Sequence, residues 1–388
     1  MSWLQILKML VKTAGSAIFQ AVANGDLKQL RAIRKKVDDG WEFRQICDEY
    51  CDFSTGQTVL HHAAGIGHLK ICRFLIEDVK VHIDASTYKR DTPLVEAVKG
   101  GHVKIVEFLI KQGAKISLAN VEGFTPLHFA VLNNKMELVE LLLIEGAVVD
   151  ADSVDGTPLQ IAVSRGNVEA AKGLLSRGAN PAYYYAVADT PLVCAVKSCS
   201  FECLNLLLEA GANPNLYYTG FSPLASAAKE GDKKFLKCLL EAKADPNAFQ
   251  SDIIKPIEDA AMVLNRAAVD ILFPVTARLP HYPNWTVDGI IEYTHSEEFW
   301  CVIHSEEFKT KMEKRMRICL AVLDLRGEQD ASNKEYNHSI VNYRMQLETS
   351  LVMSGCSGKF AMNTVISPLA GVSCITRLES DILMFANS

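Results

Sequence analysis

Six prolines in the middle of this 388-residue chain recur with almost constant spacing, and this repeat limits the possible folds more than any other feature. Successive members lie 33, 32, 33, 32 and 33 residues apart, and four of the six stand in a Thr-Pro-Leu triplet. A sustained period near 33 predicts an array of small helical units stacked on their neighbours, and such arrays favour binding over catalysis. The six are Pro93, Pro126, Pro158, Pro191, Pro223 and Pro256.

The residues of one unit predict a pair of helices. Thr92 suits the N-cap of the first helix, and Pro93 suits its first turn, where the missing N–H costs nothing. The apolar positions of residues 103–110 predict a second, amphipathic helix. Gly113 then stands where a left-handed residue is expected, and glycine recurs there in three later units. Val79 and Lys243 replace this glycine, so we expect a strained turn at Lys243 that costs about 1 kcal/mol.

These residues resemble the ankyrin repeat family, most clearly over residues 123–130 (GFTPLHFA) and 141–147 (LLLIEGA). The likeness recurs in register over roughly 265 residues and implies an all-α solenoid of helix-turn-helix units with short hairpin loops. It also implies that the histidines at positions 61 and 128 brace the hairpins. The positions that carry another residue in place of this histidine, where bracing by histidine is not expected, are Val95, Gln160, Val193 and Ala225.

The repeat and its loss suggest five segments. An N-terminal helix and a capping repeat are expected at 1–46, and six fuller repeats with a degenerate closing repeat at 47–278. A linker with a helix is expected at 279–317, a single degenerate tetratricopeptide-like helix pair at 318–349, and a weakly ordered tail at 350–388.

The part beyond the array resembles plant ankyrin proteins that carry C-terminal tetratricopeptide repeats. Residues 283–291 are similar to the segment that follows the array in those proteins. Small and aromatic residues between Gly327 and Leu347 have the spacing of one tetratricopeptide helix pair, here truncated or vestigial. The resemblance implies an alternative function, a co-chaperone-like adaptor that captures an acidic C-terminus, although that mode needs several repeats.

Charge and composition indicate a protein of the cytoplasm, the nucleus or both. The net charge is −6, with 40 basic and 46 acidic residues, so the chain as a whole lacks the excess of basic residues that is typical of nucleic-acid-binding proteins. No stretch approaches the apolar length of a membrane span, and Lys8 interrupts the apolar N-terminus, which argues against a signal peptide. The odd number of cysteines, 11, favours reduced thiols.

The sequence contains no constellation that predicts catalysis, a metal or a cofactor. The Gly65–Lys70 stretch begins like a phosphate-binding loop, but it joins two predicted repeat helices and lacks the third glycine. A zinc site is disfavoured for the three histidines at 61, 62 and 68, and no Cys-x-x-Cys pair indicates one elsewhere. We therefore expect a non-catalytic scaffold or adaptor.

The expected partner site lies on the hairpin tips of the fourth to sixth full units and on neighbouring inner-helix positions. Tyrosine and phenylalanine are frequent energetic anchors at interfaces, so we expect a protein or peptide partner with an apolar or aromatic segment. The tip residues are Tyr183, Tyr184, Tyr185, Tyr217, Tyr218, Phe221 and Phe249; the helix residues are Phe129, Ile161 and Cys194.

Overall fold

The described part of the chain is built of short paired helices. A computed structural model describes residues 3–37, 41–183, 189–216, 222–248 and 254–299. It divides into two compact units, residues 1–153 with 176–179, and residues 154–175 with 180 onward. Within each unit an inner helix begins at each Thr-Pro or its equivalent, and an outer helix follows after a tight turn.

The first unit contains nine of the described α-helices. They are α1 (Trp3–Ala23), α2 (Leu27–Val37), α3 (Trp41–Glu49), α4 (Val59–Ile66), α5 (Leu69–Arg73), α6 (Pro93–Gly100), α7 (Val103–Lys111), α8 (Pro126–Leu132) and α9 (Met136–Ile144). Its core includes Leu60, Leu94, Leu109 and Leu127, each fully buried.

The helices that follow repeat the same pairing, and one more helix comes after the last pair. They are α10 (Pro158–Ser164), α11 (Val168–Ser176), α12 (Pro191–Lys197), α13 (Phe201–Glu209), α14 (Pro223–Glu230), α15 (Lys233–Glu241), α16 (Pro256–Met262), α17 (Arg266–Leu272) and α18 (Val287–Thr294). The inner helices α10, α12, α14 and α16 pack each against the next.

The inner helices begin as the sequence predicts. Thr92 has extended backbone, and its Oγ1 accepts a hydrogen bond from Val95 N at 3.3 Å, while Pro93 occupies the first turn of α6. Thr157 and Thr190 cap α10 and α12 in the same way. An N-cap side chain satisfies a backbone N–H that has no partner within the helix, which fixes where each inner helix starts.

Histidine bracing is present as expected, and glutamine reproduces it. Thr58 N donates to His61 Nδ1 at 3.2 Å, and His61 Nε2 donates to the Asp91 carbonyl of the next repeat at 3.0 Å. In the second unit, Gln160 accepts from Thr157 N at 2.7 Å and donates to the Asp189 carbonyl at 2.9 Å. Bracing at residue 160 therefore does not need a histidine, because an amide offers the same acceptor and donor.

Lys243 adopts the left-handed conformation expected for the turn after an outer helix. Its φ is +67°, close to the +91° of Gly113. The expectation that Val79 stands at the position of Gly113 is wrong. Lys80 takes the left-handed conformation there instead, with φ +63°. The repeat that opens at Thr58 is one residue longer than the next, and its outer helix widens from α5 into a π-helical segment, Phe74–Val79, that absorbs the addition.

Both ends of the array differ from the expected segment boundaries. At the start, α1 lies within the expected segment 1–46, whereas α3 runs through the expected boundary at residue 46. At the end, residues 279–299 pack on the last repeat instead of forming a linker. Tyr282 is 1% exposed and donates a hydrogen bond to Glu258 Oε1 at 2.9 Å. The tetratricopeptide-like pair at 318–349 and the tail at 350–388 lie outside the described residues.

Candidate functional site

A row of exposed apolar side chains runs along the loop tips of the first unit. Phe53 is 75% exposed, Tyr88 63% and Val121 54%. The loops that carry these side chains are closed by backbone bonds from Asp52 N to Gln57 O, Thr87 N to Asp91 O and Asn120 N to Phe124 O. Each tip residue therefore precedes the next inner helix by a short closed loop, which is one residue longer at Phe53 than at Tyr88 and Val121. We call Phe53, Tyr88 and Val121 the hairpin-tip row.

Backbone hydrogen bonds join these neighbouring tips to one another. Tyr88 N donates to the Thr55 carbonyl at 3.1 Å, and Val121 N donates to the Lys89 carbonyl at 2.9 Å. These bonds fix the spacing of the loop backbones that carry the three side chains, so the row is a connected part of the surface. Aromatic and aliphatic side chains on an ordered backbone suit an interface, because little backbone entropy is lost when a partner covers them.

The hairpin-tip row was missed by the sequence interpretation, which followed the tyrosine-rich tips of later repeats. A weaker signal was present, since an apolar residue stands four or five positions before Thr58, Thr92 and Thr125. Single apolar surface residues are common and carry little information alone. The hydrogen bonds between neighbouring loops show that these three residues belong to adjacent tips.

The predicted site residues fall in different places. Phe129 lies half-buried on α8 in the first unit, and Tyr183 is half-buried in the second. Ile161 and Cys194 are 4% and 8% exposed, so they present little surface to a partner. The residues that lie outside the described part of the chain are Tyr184, Tyr185, Tyr217, Tyr218, Phe221 and Phe249.

Lys99 connects the inner helices of the first unit. Its Nζ donates to Asp91 Oδ2 at 2.6 Å and to Glu96 Oε1 at 3.1 Å, and it lies 4.5 Å from the centroid of the Phe129 ring. Burial alone lowers the pKa of Lys99, but the hydrogen bond that it donates to Asp91 and the charge of Glu96 raise the pKa above its usual value overall. The ammonium is therefore charged and already engaged on three sides.

An open polar cavity lies beside this lysine, between α4 and α6. Its volume is about 230 Å³, and we call it the inner-helix cavity. Gly65 and Gly100 also line it, and a Cβ added at Gly100 would lie 2.6 Å from the Gly65 carbonyl oxygen. The polar and apolar side chains that line it are Gln57, His61, His62, Ile66, Glu96 and Lys99.

Two of the buried thiols are unsuited to nucleophilic chemistry at neutral pH. Burial raises the pKa of Cys72 to about 12 and that of Cys194 to about 11, so neither is a thiolate at neutral pH. Among the described residues, no group of three His, Cys, Asp or Glu side chains could hold a metal ion. None of the described helices is both long enough and apolar enough to span a membrane.

Comparison with known proteins gives the family. The family model described as ankyrin repeats (3 copies) matches residues 18–120, 116–185 and 184–250, which together exceed half of the chain. Ankyrin repeat and SOCS box protein 1 of Mus musculus is 36% identical over 95 residues, a match covering 22% of this chain and 27% of that protein. Alpha-latrotoxin-Lh1a of Latrodectus hasselti is 43% identical over 58 residues, or 15% of this chain and 4% of the toxin.

Among solved structures, the human ASB11 ankyrin repeat domain aligns with a TM-score of 0.49 and 27% identity, and the alignment covers 57% of this chain and 100% of that domain. The matches to the curated relatives span less than a third of those proteins' own length. The array of capped helix pairs and the family match together identify this chain as a member of the ankyrin repeat family.

Proposed function

We propose that this chain is a non-catalytic adaptor that binds a partner protein through its hairpin tips and inner helices. The observation that carries the proposal is the hairpin-tip row, where three large apolar side chains are mostly exposed and held in fixed spacing. Ankyrin repeats are generally protein–protein interaction modules, which supports the general class. A partner with an apolar or aromatic segment suits this row.

The free thiols favour a reducing compartment for this binding. The described cysteines are unpaired, with Cys199 exposed and Cys47 and Cys72 buried. Exposed thiols persist where the cell keeps them reduced, so the cytoplasm or the nucleus suits the protein.

Substitution of residues in the hairpin-tip row tests the proposal. The full chain is used to capture partners from a lysate, and the affinity of each identified partner is then measured by calorimetry. Phe53→Ser with Tyr88→Ser removes two exposed apolar side chains, and we expect affinity to fall at least tenfold while the thermal midpoint is unchanged.

Tyr184→Ala with Tyr217→Ala tests the sequence-predicted tips, and we expect the binding free energy to weaken by more than about 2 kcal/mol.

The matched control is Ile144→Ser with Val148→Ser, which removes exposed apolar side chains of the same unit away from the tips. Partner affinity should survive this control. An equal loss in the control would show that general surface apolarity, and not the hairpin-tip row, determines binding. A partner that binds residues 300–388 alone would overturn the adaptor proposal and favour the tetratricopeptide-like segment.

A further inference from the structure

The ammonium that lines the inner-helix cavity is already paired with a carboxylate that does not line it. Two carboxylates, Asp91 and Glu96, face one ammonium, that of Lys99, at 2.6 and 3.1 Å. Burial, the largest cause, lowers the pKa of His61 to about 4, so this wall of the cavity is neutral at physiological pH. Asp91 pairs with Lys99 from outside the lining, so the Glu96 carboxylate is the charge that an incoming group meets in this partly desolvated space, where electrostatic attraction is stronger than in water.

Hydrogen-bond acceptors in the cavity are unused. Lys99 binds only Oε1 of Glu96, and within the described residues no group donates to Oε2. The side chains of Gln57 and His62 also line the cavity half-buried, and no hydrogen bond to another described side chain engages either. The cavity therefore offers one free carboxylate oxygen, an amide and an imidazole to an incoming group.

The Lys99 ammonium cannot serve as an anion site. Its Nζ donates to two carboxylates and faces the Phe129 ring, so an anionic ligand would have to break these contacts and approach two negative charges. A purely apolar side chain would bury the free Glu96 oxygen without a partner, which is unfavourable. A cation with several hydrogen-bond donors satisfies both requirements.

We propose that the inner-helix cavity binds the guanidinium group of an arginine side chain from the partner. This inference rests on the proposed function and names the chemistry of one contact. The guanidinium has five N–H donors in a fixed plane, so it can donate to Glu96 Oε2 and to the Gln57 amide oxygen together. Ile66, which is partly exposed at the cavity edge, provides apolar surface for the methylene stem.

Selection from a random peptide library displayed on phage tests this contact with the full chain as bait. We expect the enriched peptides to share an arginine at one aligned position. Changing that arginine to glutamine in the synthetic peptide should weaken binding at least tenfold on the native protein. On the Glu96→Gln protein, the same peptide change should have less than a threefold effect, because the charge that it meets is gone.

Glu140→Gln is the matched control, since Glu140 is an exposed acid on the outer helix α9 of the same unit. This protein should discriminate between the two peptides as the native protein does. Replacing the peptide arginine with lysine should also weaken binding, because a lysine ammonium lacks the planar fork. Thermal unfolding of each variant is measured alongside, so that a folding defect is distinguished from a loss of binding.

Two outcomes would overturn the inference and leave the proposed function standing. One is the enrichment of peptides that bind without any basic residue and ignore Glu96→Gln. The other is an arginine dependence that persists unchanged in the Glu96→Gln protein, which would place the arginine elsewhere. If the library yields no binding peptide at all, the proposed function and this inference both lose their support.

Discussion

His61 and Gln160 are different side chains that make the same two contacts. Each accepts from the backbone N–H of its helix cap and donates to a carbonyl at the start of the next repeat. The chemistry that the position requires is one acceptor and one donor, separated by about the width of a ring. A resemblance to the family's histidine pattern identifies this position but underestimates which residues can fill it.

We predict that His61→Gln retains the stability of the native chain, whereas His61→Ala loses about 1–3 kcal/mol. Alanine leaves the Thr58 N–H and the Asp91 carbonyl without these buried partners. The measurement is the free energy of unfolding in urea at pH 7.5. An equal loss in both variants would show that the ring's packing, and not its hydrogen bonds, matters at this position.

The pH dependence of the unfolding free energy gives a second comparison between the native chain and the His61→Gln protein. Burial lowers the pKa of His61 to about 4, so the folded chain takes up this proton less readily than the unfolded chain, whose histidine titrates near about 6.5. The stability that neutral His61 contributes is therefore fully present above about pH 6.5, and it is lost as the pH falls toward 4. The His61→Gln protein should lack this part of the acid sensitivity.

Lys243 also allows a prediction at the scale of one residue. Its φ of +67° is strained for a side chain with a Cβ, and its carbonyl accepts a bond from Asn215 Nδ2 at 3.0 Å that glycine would preserve. Lys243→Gly should therefore raise the free energy of unfolding by up to about 1 kcal/mol. A lowered thermal midpoint would contradict this, and would show that the greater backbone freedom of glycine in the unfolded chain outweighs the relieved strain.

At the scale of elements, α16 carries two buried carboxylates at its start. Glu258 accepts from Lys255 N at 2.8 Å and from Tyr282, and His281 Nε2 lies 3.5 Å from its Oε1. Asp259 is 3% exposed and faces the Lys229 ammonium of α14 at 3.4 Å, while its Oδ2 has no hydrogen-bond partner. Burial, with a smaller contribution from Glu258, raises the pKa of Asp259 to about 6, against the pull of Lys229.

We predict that Asp259→Asn stabilises the chain at pH 7.5 and that this gain disappears toward pH 4. The folded state holds the Asp259 proton more tightly than the unfolded state, so the contribution of this group to stability is present at low pH and lost as the pH rises through about 6. The measurement is the difference in unfolding free energy between the two proteins from pH 4 to pH 8. A gain that does not change with pH would exclude titration of Asp259 as its cause.

The helix boundaries could be predicted from the sequence, whereas the burial of individual side chains could not. Thr92 and Pro93 fix where an inner helix starts, and Gly113 fixes where an outer helix ends, because these residues act on the backbone next to them. The burial of Ile161 and the exposure of Phe53 depend on contacts between loops and helices far apart in sequence. Tyr282 covers Glu258 from a segment without any repeat, so no periodicity could predict that contact.

At the scale of the whole molecule, the last repeat of the second unit depends on residues beyond the predicted array. Leu279, Tyr282 and Ile290 are buried, and Tyr282 packs against Tyr293 with ring centroids 4.7 Å apart. A repeat unit needs a neighbour to bury its open face. The segment 279–299 provides this cover where a further repeat would otherwise stand.

We predict that a chain ending after residue 278 unfolds at a lower temperature than one ending after residue 299. The shorter chain exposes the apolar face of the last repeat and removes the Tyr282 hydroxyl from buried Glu258. Calorimetry of the two chains at the same concentration and pH measures the difference. Equal midpoints would mean that the segment packs without contributing to stability.

The π-helical segment Phe74–Val79 has a consequence for how such arrays tolerate insertions and deletions. Thr58 and Gly67 keep the offset of nine residues seen for Thr92 and Gly101, and the offset from Lys80 to Thr92 equals that from Gly113 to Thr125. The additional residue is thus confined to the outer helix, and neither the loop tips nor the inner helices shift in register. The insertion of one residue at this site therefore leaves the register of the inner helices and of the adjacent loop tips unchanged, so an outer helix tolerates a change in repeat length that a hairpin loop would not.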